Sequence, residues 1–430
     1  MTKTNTANTL AECQALDQED PLRSLRDLFQ VPESMIYLDG NSLGVLPKAT
    51  PARVAAAVTK EWGQDLIQSW NSAGWFQMPL KVGNKIARLI GAKDDEVVAA
   101  DSTSINLYKV LSAALSISQA DHPEKKVILS EFTNFPTDLY IAEALCKERG
   151  FSLKLVEAEA LQTALQQDVA VLMLTHVNYR TGAMLNMKDM TASAHSVGAL
   201  TVWDLAHSAG AVPVDLNGSQ ADFAVGCGYK YLNGGPGAPA FVWVHPKHTD
   251  RFWQPLSGWW AHAAPFEFTP DYKPAAGISR YQCGTQPVLS LTALDTALDV
   301  FLEVEKLGGM QALRNKSLAL TGLFMNLVQA ELAGHGFDIA TPLEENLRGS
   351  QMSLTRSEGA YAIVQAMIAR NVIGDFRAGD GKSQPDILRF GLTPLYTRFV
   401  DVWHAVQHLK EVMDSGEWQQ PRFSHKNTVT

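Results

Sequence analysis

Short apolar runs alternate with stretches of helical periodicity along most of the chain. The strand-like runs are rich in aliphatic residues and lie at 127–130, 169–175, 200–203, 222–226 and 240–244. Helical patterns fall between them, at 139–149 and 187–197. Strands that are apolar throughout, and not only at alternate positions, are typical of a sheet covered on both faces. Their alternation with helices predicts an α/β fold with a mostly parallel sheet.

The two ends of the chain have a different pattern. The first 35 residues predict a polar arm followed by a short amphipathic helix at 22–29. A helix is predicted at 288–307, and the second α/β unit after it has two strands and a last helix, at 351–355, 387–391 and 399–413. We therefore predict a large domain at 50–310 and a small α/β domain formed from residues 1–49 and 311–430.

One long segment, 254–286, shows neither the period of a helix nor that of a strand. It is rich in Trp, Pro, Gly and other aromatic residues. We predict a long irregular loop, and loops of this length are usually functional.

Composition and charge narrow the class of protein. The 430 residues are 46% hydrophobic and 19% charged, a balance that supports a large buried core. The net charge is −9, and no basic cluster alternates with aromatic residues, so neither nucleic acid nor a membrane is an expected partner. A polar N-terminus without a signal-peptide core and four scattered cysteines predict a cytoplasmic protein with reduced thiols. No metal site is expected.

A lysine among glycines is the strongest candidate for chemistry. Lys230 lies in the run 226–237, whose glycines indicate that the backbone approaches a ligand closely. Asp204 ends a predicted strand, and ligands bind at the carboxyl ends of strands in open α/β sheets. A lysine for an aldehyde and an acid for a ring nitrogen together predict pyridoxal 5′-phosphate (PLP). The alternatives are a surface lysine and an acid that caps the next turn.

Two other segments fit the same cofactor. Ser102 and Thr103 precede a helical stretch at 107–115, where hydroxyls and free backbone N–H groups can bind a phosphate. A plain N-cap is the alternative there. Phe135 follows a strand and can stack on a flat ring, whereas the alternative is a proline turn that begins a helix.

A buried-looking arginine predicts recognition of a carboxylate. Arg389 lies in the otherwise apolar run 387–392. A guanidinium pairs with both oxygens of a carboxylate, so we predict that Arg389 binds the α-carboxylate of an amino acid. The alternative is an arginine on an edge strand.

These motifs resemble those of the kynureninase family. The segments that carry the resemblance are Asp-Gly-Asn-Ser-Leu-Gly at 39–44, Asn-Phe-Pro-Thr-Asp at 134–138, Asp-Leu-Ala-His at 204–207, Tyr-Lys-Tyr-Leu-Asn at 229–233 and Leu-Ser-Gly-Trp-Trp-Ala-His at 256–262. The likeness covers nearly the whole chain, with Gly228 in place of the family's serine. It implies the PLP-dependent transferase-like fold (fold type I), a homodimer with shared active sites, and hydrolysis of L-kynurenine to anthranilate and L-alanine in tryptophan degradation.

The resemblance also implies a role for individual residues. Lys230 would form the Schiff base with PLP, Asp204 would bind the pyridinium nitrogen, and Tyr229 would relay protons. The other implied cofactor residues are Ser102, Thr103, Phe135, Asp138, Thr175, His207, and, from the partner subunit, Trp259 and Thr285. The implied substrate residues are Arg389, Ser42, Trp70 and His262. Whether the ring of the substrate carries a 3-hydroxyl stays open.

Other functions of the same fold remain as alternatives. A cysteine desulfurase or selenocysteine lyase needs a nucleophilic cysteine late in the chain, and the last cysteine here is Cys283. An aminotransferase would leave stable pyridoxamine phosphate. A regulator that keeps the fold without catalysis is the alternative from a different class, and the presence of Lys230, Asp204 and Arg389 argues against it.

Overall fold

The computed structural model describes residues 9–426. Its strands are β1 (Ile36–Tyr37), β2 (Val97–Ala99), β3 (Val127–Glu131), β4 (Ser152–Val156), β5 (Val169–Thr175), β6 (Leu200–Asp204), β7 (Phe223–Gly226), β8 (Phe241–Val244), β9 (Phe337–Ile339), β10 (Gln351–Arg356), β11 (Val372–Ile373), β12 (Asp375–Arg377) and β13 (Ile387–Gly391). Its α-helices are α1 (Leu10–Glu19), α2 (Thr50–Ala56), α3 (Ser69–Ser72), α4 (Met78–Ala87), α5 (Thr103–Asp121), α6 (Pro136–Arg149), α7 (Leu161–Ala164), α8 (Met187–Ser196), α9 (Pro246–Thr249), α10 (Val288–Lys306), α11 (Gly309–Glu331), α12 (Ala360–Ala369), α13 (Phe399–Ser415) and α14 (Pro421–Ser424).

Seven strands within residues 9–426 form the central sheet, in the order β2-β8-β7-β6-β5-β3-β4. From β7 to β4 each strand is parallel to its neighbour, and β8 is antiparallel to both β7 and β2. Strands β3 and β5 are buried along their whole length, as continuous apolar runs predict. The prediction of a mostly parallel sheet is confirmed.

Two smaller sheets are formed by strands from the two ends of the chain. Strands β12, β13, β10 and β9 form an antiparallel sheet in that order, and β1 pairs in parallel with β11. The predicted strands at 351–355 and 387–391 correspond to β10 and β13. After β1 the chain reaches Asp39, which bridges to Gly391 at the end of β13. This pairing brings the segment 39–44 to the four-stranded sheet, which is called the small sheet below.

The prediction for the N-terminal arm was wrong. Helix α1 lies where a polar arm was expected, and its capping box joins Thr9 to Glu12, whose backbone N–H donates to the Thr9 hydroxyl at 3.3 Å. Only a 3-10 turn, Arg23–Leu28, lies where a helix was predicted at 22–29. The residues before Thr9 are outside the described range. Apolar periodicity did not predict α1, because Cys13 is its only buried residue. The helix packs against α13, and this contact stabilises it.

Three clusters of apolar side chains form the core. One packs α4 and α10 against one side of the central sheet and includes Val82 and Leu291. A second packs α5 against the sheet and includes Leu111, and a third joins α11 and α13 to the small sheet around Phe390. The predicted division into two domains stays a prediction. No helix of the described residues is long and apolar enough to cross a membrane.

A fully buried acid ties three segments together beside the central sheet. Asp222 accepts hydrogen bonds from the backbone N–H of Thr201 at 2.9 Å and from its hydroxyl at 3.1 Å. Nε2 of His195, Nε2 of His248 and Nζ of Lys247 each lie 2.8 Å from its carboxylate. Burial alone would raise the pKa of Asp222, but the hydrogen bonds from His195, His248 and Lys247 hold it well below the usual range.

Replacement of this acid should destabilise the fold. Asp222→Asn should lower the free energy of unfolding by about 3–5 kcal/mol at neutral pH, because the buried amide N–H would face donors and Lys247 would lose its counter-charge. Since the folded pKa is depressed, the stabilisation is present above the unfolded pKa of about 3.9 and is lost as pH falls below it. Urea denaturation at neutral pH and near pH 3 would measure both effects.

Asp168→Asn, at an exposed position, is the matched control. Equal stability of the two variants at neutral pH would contradict the assignment of Asp222 as a structural hub.

Candidate active site

The predicted functional residues meet at one edge of the central sheet. Thr175 ends β5 and Asp204 ends β6, and because these strands are parallel their carboxyl ends lie side by side. The cavity at this edge is lined by most of the predicted cofactor residues, namely Thr103, Phe135, Asp138, Thr175, Asp204, His207, Tyr229 and Lys230. The carboxyl-terminal edge of the parallel strands therefore forms the candidate site.

The lysine amine faces a histidine and two aromatic rings. Nζ of Lys230 lies 3.0 Å from Nε2 of His207. The same Nζ lies 5.9 Å from the ring centroid of Phe135 and 5.8 Å from that of Tyr229. Lys230 is half-buried, so its amine is both oriented by neighbours and accessible from the cavity.

The glycine before Tyr229 is required by its surroundings. A Cβ added to Gly228 would lie 2.3 Å from the carbonyl oxygen of Pro239 and 2.9 Å from a Leu294 methyl. The serine that the family resemblance leads one to expect would therefore need the backbone to shift here. Gly228 lets the segment that carries Lys230 pack directly against the chain at Pro239.

Two buried acids face each other beneath the lysine. The carboxyl groups of Asp138 and Asp204 lie close enough for each to shift the pKa of the other. Burial and the charge of Asp204 raise the pKa of Asp138 well above its usual value. Burial also raises the pKa of Asp204, although the charge of Lys230 opposes the increase. Burial and mutual repulsion therefore disfavour a state in which both acids are ionised, as in other close pairs of buried carboxyl groups.

The remaining hydrogen-bonding capacity of the pair points to a ligand. Asp204 accepts from the backbone N–H of Ala206 at 2.7 Å. Oδ2 of Asp138 is buried and has no hydrogen-bond partner among the described residues. A buried polar atom without a partner is costly, and a protonated ring nitrogen would satisfy an acid of this pair.

His207 is held as a neutral imidazole. Its Nδ1 lies 3.1 Å from Oε1 of Gln351, an oxygen that can only accept. Burial, and then the charges of Lys230 and Arg389, hold the pKa of His207 well below its usual value. Because the single proton is on Nδ1, Nε2 accepts a hydrogen bond from Lys230.

Asn134 fixes the turn that carries Phe135 and Asp138. Its Nδ2 donates to the Ser130 hydroxyl at 3.0 Å, and its Oδ1 accepts from Thr175. The ring of Phe135 is 39% exposed. An exposed aromatic face beside a half-buried amine is suited to stacking on a flat ligand.

The amino end of α5 is tied down by a buried lysine. Ser102 is the N-cap, and its hydroxyl accepts from the backbone N–H of Ile105 at 3.4 Å, so the predicted N-cap is present. Asp101, just before it, has a φ of +48°, a conformation that costs energy in a residue with a Cβ. Nζ of Lys109, completely buried, pairs with the Asp101 carboxylate and donates to the carbonyl of Tyr281 at 2.6 Å.

The predicted substrate residues divide into two groups. Ser42 lines a cavity that adjoins the first one and shares Thr103 and Tyr229 with it, and Ser102 lines it too. Arg389 is buried, and its Nη2 donates to the Ser42 hydroxyl at 2.8 Å.

The other predicted residues lie away from both cavities. Trp70 is edge-on to Trp260 with ring centroids 5.2 Å apart. Trp259 packs against aromatic rings of the irregular segment, and His262 contacts the carbonyl of Asp271 at 3.1 Å. Thr285 is exposed. Their predicted roles stay predictions.

Sequence reasoning missed four residues that shape the site. Asn134 belongs to a motif that had been singled out, so its place beside Phe135 was available from the sequence. Tyr179, Gln351 and Lys109 carry no comparable signal, because their contacts arise only from tertiary packing. Tyr179 is edge-on to Phe135, with ring centroids 5.3 Å apart, and its carbonyl accepts from Gln351 at 3.1 Å.

Sequence comparison finds relatives along the whole chain. A family model described as "Kynureninase C-terminal domain" matches residues 313–409. The chain is 53% identical over 425 residues to a kynureninase of Pseudomonas fluorescens, which covers 98% of this chain and 100% of that protein. Kynureninases of Burkholderia mallei and Burkholderia pseudomallei are each 52% identical over 425 residues, with the same coverage.

Structure comparison identifies the fold. A C-DES mutant with glycine covalently linked to the PLP cofactor aligns with a TM-score of 0.76 at 16% identity, over 90% of this chain and 99% of that one. A cysteine desulfurase of Thermococcus onnurineus aligns with a TM-score of 0.75 at 18% identity, over 91% and 98%. The predicted fold, that of the fold-type-I PLP enzymes, is confirmed.

The buried lysine of α5 should affect the cofactor through its phosphate. Lys109→Met should weaken binding of PLP by about tenfold or more, because the charge-assisted bonds that hold Asp101 before the helix are lost. Pyridoxal, which has no phosphate, should bind the variant and the parent with the same affinity. Absorbance titrations of the cofactor-free protein would measure both dissociation constants.

Lys147→Met, on the exposed face of α6, is the control. An equal loss of affinity for PLP and pyridoxal would show a general distortion of the cavity and would contradict this prediction.

Proposed function

The chain belongs to the kynureninase family, and we propose on this basis that it hydrolyses the Cβ–Cγ bond of L-kynurenine to give anthranilate and L-alanine. The 3-hydroxy form of the substrate would give 3-hydroxyanthranilate by the same reaction. The observation that carries the proposal is the arrangement of Lys230 against His207, with its amine 3.0 Å from Nε2, above a pair of buried acids. Relatives about half identical over the full length are named for this activity.

The residues at the sheet edge fit PLP. Lys230 would bind its aldehyde, Asp204 its ring nitrogen and Phe135 one face of its ring. The two buried acids and the unpartnered oxygen of Asp138 suit a nitrogen base that takes up a proton there. Ser102 and Thr103, at the amino end of α5, would contact the phosphate. Bound PLP supplies an electron sink for the pair released at the substrate Cα.

Lys230 would act as the base at Cα once the substrate amine has displaced it. Its Nζ is kept in position by the hydrogen bond to neutral His207. An imidazole held neutral accepts from the amine and adds no positive charge beside it. His207 would thus orient Nζ in both of its protonation states, and Lys230 would carry a proton from one substrate atom to another.

Tyr229 is suited to donate a proton and not to accept one. Burial, followed by the charges of Cys227 and Asp204, raises the pKa of Tyr229 to about 12. The phenol therefore keeps its proton at neutral pH. In this role Tyr229 would donate a hydrogen bond to an anionic group, such as a phosphate oxygen, and would deliver a proton late in the reaction.

Arg389 and Ser42 would bind the amino-acid end of the substrate. Arg389 is buried within hydrogen-bonding distance of the Ser42 hydroxyl, which lines the second cavity. A guanidinium in this position suits an α-carboxylate. Trp70 and His262 would wall the aromatic end of the substrate.

The exposed aromatic segment suggests a second copy of the chain. We propose a cytoplasmic homodimer in which Trp259 and Thr285 reach the phosphate of the partner's site. Thr285 is exposed, and Trp259 lies outside the cavity of its own chain. Both residues therefore keep exposed surface for such a contact, and the reaction would serve tryptophan catabolism.

Sulfur chemistry is less well supported. The structural neighbours include cysteine desulfurases, but at 16–18% identity they share the fold alone. Cys227 lines the cavity, yet burial raises its pKa, and its Sγ is directed at the carbonyl of Ala206 at 3.8 Å. A thiol that keeps its proton is a poor nucleophile.

Fluorescence of anthranilate on addition of L-kynurenine is the direct test. The PLP-loaded parent should produce it and should absorb visible light through the Lys230-linked cofactor. Lys230→Ala should lose that absorption band and reduce kcat by at least about a thousandfold, because both the covalent link and the base are removed.

Lys147→Ala is the control, since that lysine lies on an exposed helix face. A Lys230→Ala variant that kept the band and full activity, or a parent that released no anthranilate, would overturn the proposal.

A further inference from the structure

The small sheet brings an aspartate next to the candidate carboxylate-binding arginine. Strands β12 and β13 are antiparallel, and their register pairs Asp375 directly with Arg389. Both side chains are only 1% exposed. Side chains at directly paired positions share one face of a sheet, so the register forces these two charges together.

Asp375 joins two guanidinium groups and a hydroxyl. Its Oδ1 accepts from Nε of Arg389 at 2.8 Å, and its Oδ2 accepts from Nη2 of the same residue. The Ser42 hydroxyl donates to Oδ2 at 2.8 Å, and Nη2 of Arg377 lies 2.8 Å from it. Both carboxylate oxygens are thus occupied by charged or hydroxyl donors.

These contacts decide which edge of Arg389 is left for a ligand. The Nε and Nη2 edge is closed by Asp375. On the Nη1 and Nη2 edge the partners are the carbonyl of Tyr179, 2.8 Å from Nη1, and the Ser42 hydroxyl. Carbonyl and hydroxyl oxygens are neutral, and only the Ser42 oxygen can turn away by rotation of its side chain. The second edge is therefore the one that can exchange a neutral acceptor for an anion.

We propose that Asp375 is a positioning residue for carboxylate recognition, which holds Arg389 by one edge so that the Nη1 and Nη2 edge is presented to the α-carboxylate of the substrate. Arg377 leaves the group with a net positive charge, because two guanidinium groups flank the one acid. Ser42 is the exchangeable member, because its hydroxyl oxygen can turn away and leave the Nη2 N–H of Arg389 to the incoming carboxylate. The inference rests on the proposed function of Arg389.

A second acid, Asp39, also affects the charge of the group around Arg389. Asp39 lies in the segment 39–44 that bridges to β13, and its buried Oδ1 has no partner among the described residues. Burial and the charge of Asp375 raise the pKa of Asp39 to about 7, against the charge of Arg389. Asp39 is therefore largely neutral below that pH, and Asp375 remains the acid that is directly hydrogen-bonded to Arg389.

The competing interpretation is a buried ion pair that only stabilises the small sheet. Loss of one partner of such a pair is costly in general, so a drop in activity alone would not separate the two interpretations. What separates them is the ligand. A positioning role concerns ligands with a carboxylate, whereas a stabilising role affects all ligands of the cavity alike.

The experiment compares two small amines on PLP-loaded protein. L-Alanine has the α-carboxylate and ethylamine lacks it, and each perturbs the visible absorption of the cofactor when it binds. The variants are Asp375→Asn, Asp375→Glu and Arg389→Ala. Asp338→Asn, an exposed acid on β9 of the same sheet, is the matched control.

The expected result is a change in selectivity. Asp375→Asn should weaken alanine binding by about tenfold or more while ethylamine binding changes by less than about twofold, the pattern also expected of Arg389→Ala. Asp375→Glu should restore part of the alanine affinity, because it keeps the charge. Asp338→Asn should behave as the parent.

Equal weakening of alanine and ethylamine in Asp375→Asn, or no change in either, would overturn the inference. A Glu variant no better than the Asn variant would also do so. The readout does not use kynurenine, so a protein that releases no anthranilate but keeps this selectivity would refute the proposed reaction and leave the role of Asp375 intact.

Discussion

Two buried carboxyl groups in contact cannot both be ionised unless a cation compensates them, and the site is arranged around this constraint. Asp138 and Asp204 meet where α6 begins and β6 ends, so their approach follows from the parallel order of the sheet. Lys230 supplies positive charge from above, and neutral His207 orients it without adding more. Oδ2 of Asp138 has no hydrogen-bond partner among residues 9–426, so a ligand that donated a hydrogen bond to it would offset the cost of its burial.

How much of the structure could be predicted from the sequence depends on whether the pattern that marks each element or residue lies in its own segment of the chain. Five strands of the central sheet were predicted to within one residue from their apolar runs, whereas the short β2 and the largely exposed β4 were missed. Lys230 was recognisable by the glycines around it. Helix α1 was missed because it buries one side chain only. Gln351 contacts His207 across 144 residues of sequence, and Tyr179 contacts Phe135 from a different loop, so nothing in their neighbourhood marks them.

The charged residues of the small sheet show the same limit on what the sequence predicts. Arg389 was conspicuous because a charge interrupts an apolar run, but its partner was not, since the pairing of Asp375 with Arg389 depends on strand register. Register is set by the hairpin geometry and by which face is buried, and neither is readable from the two residues themselves. Trp259 and Thr285 differ again, because neither lines the two cavities of its own chain.

The carbonyl oxygen of Tyr179 has a mechanical consequence. It accepts from Gln351 on β10 and from Arg389 on β13, while the ring of the same residue leans on Phe135 beside the cavity. A rotation of the small sheet would strain both hydrogen bonds at once. The segment around Tyr179 must therefore move with the sheet or restrain it. Tyr179 thus couples the small sheet to the aromatic surface of the site, so a displacement of the sheet would also move that surface.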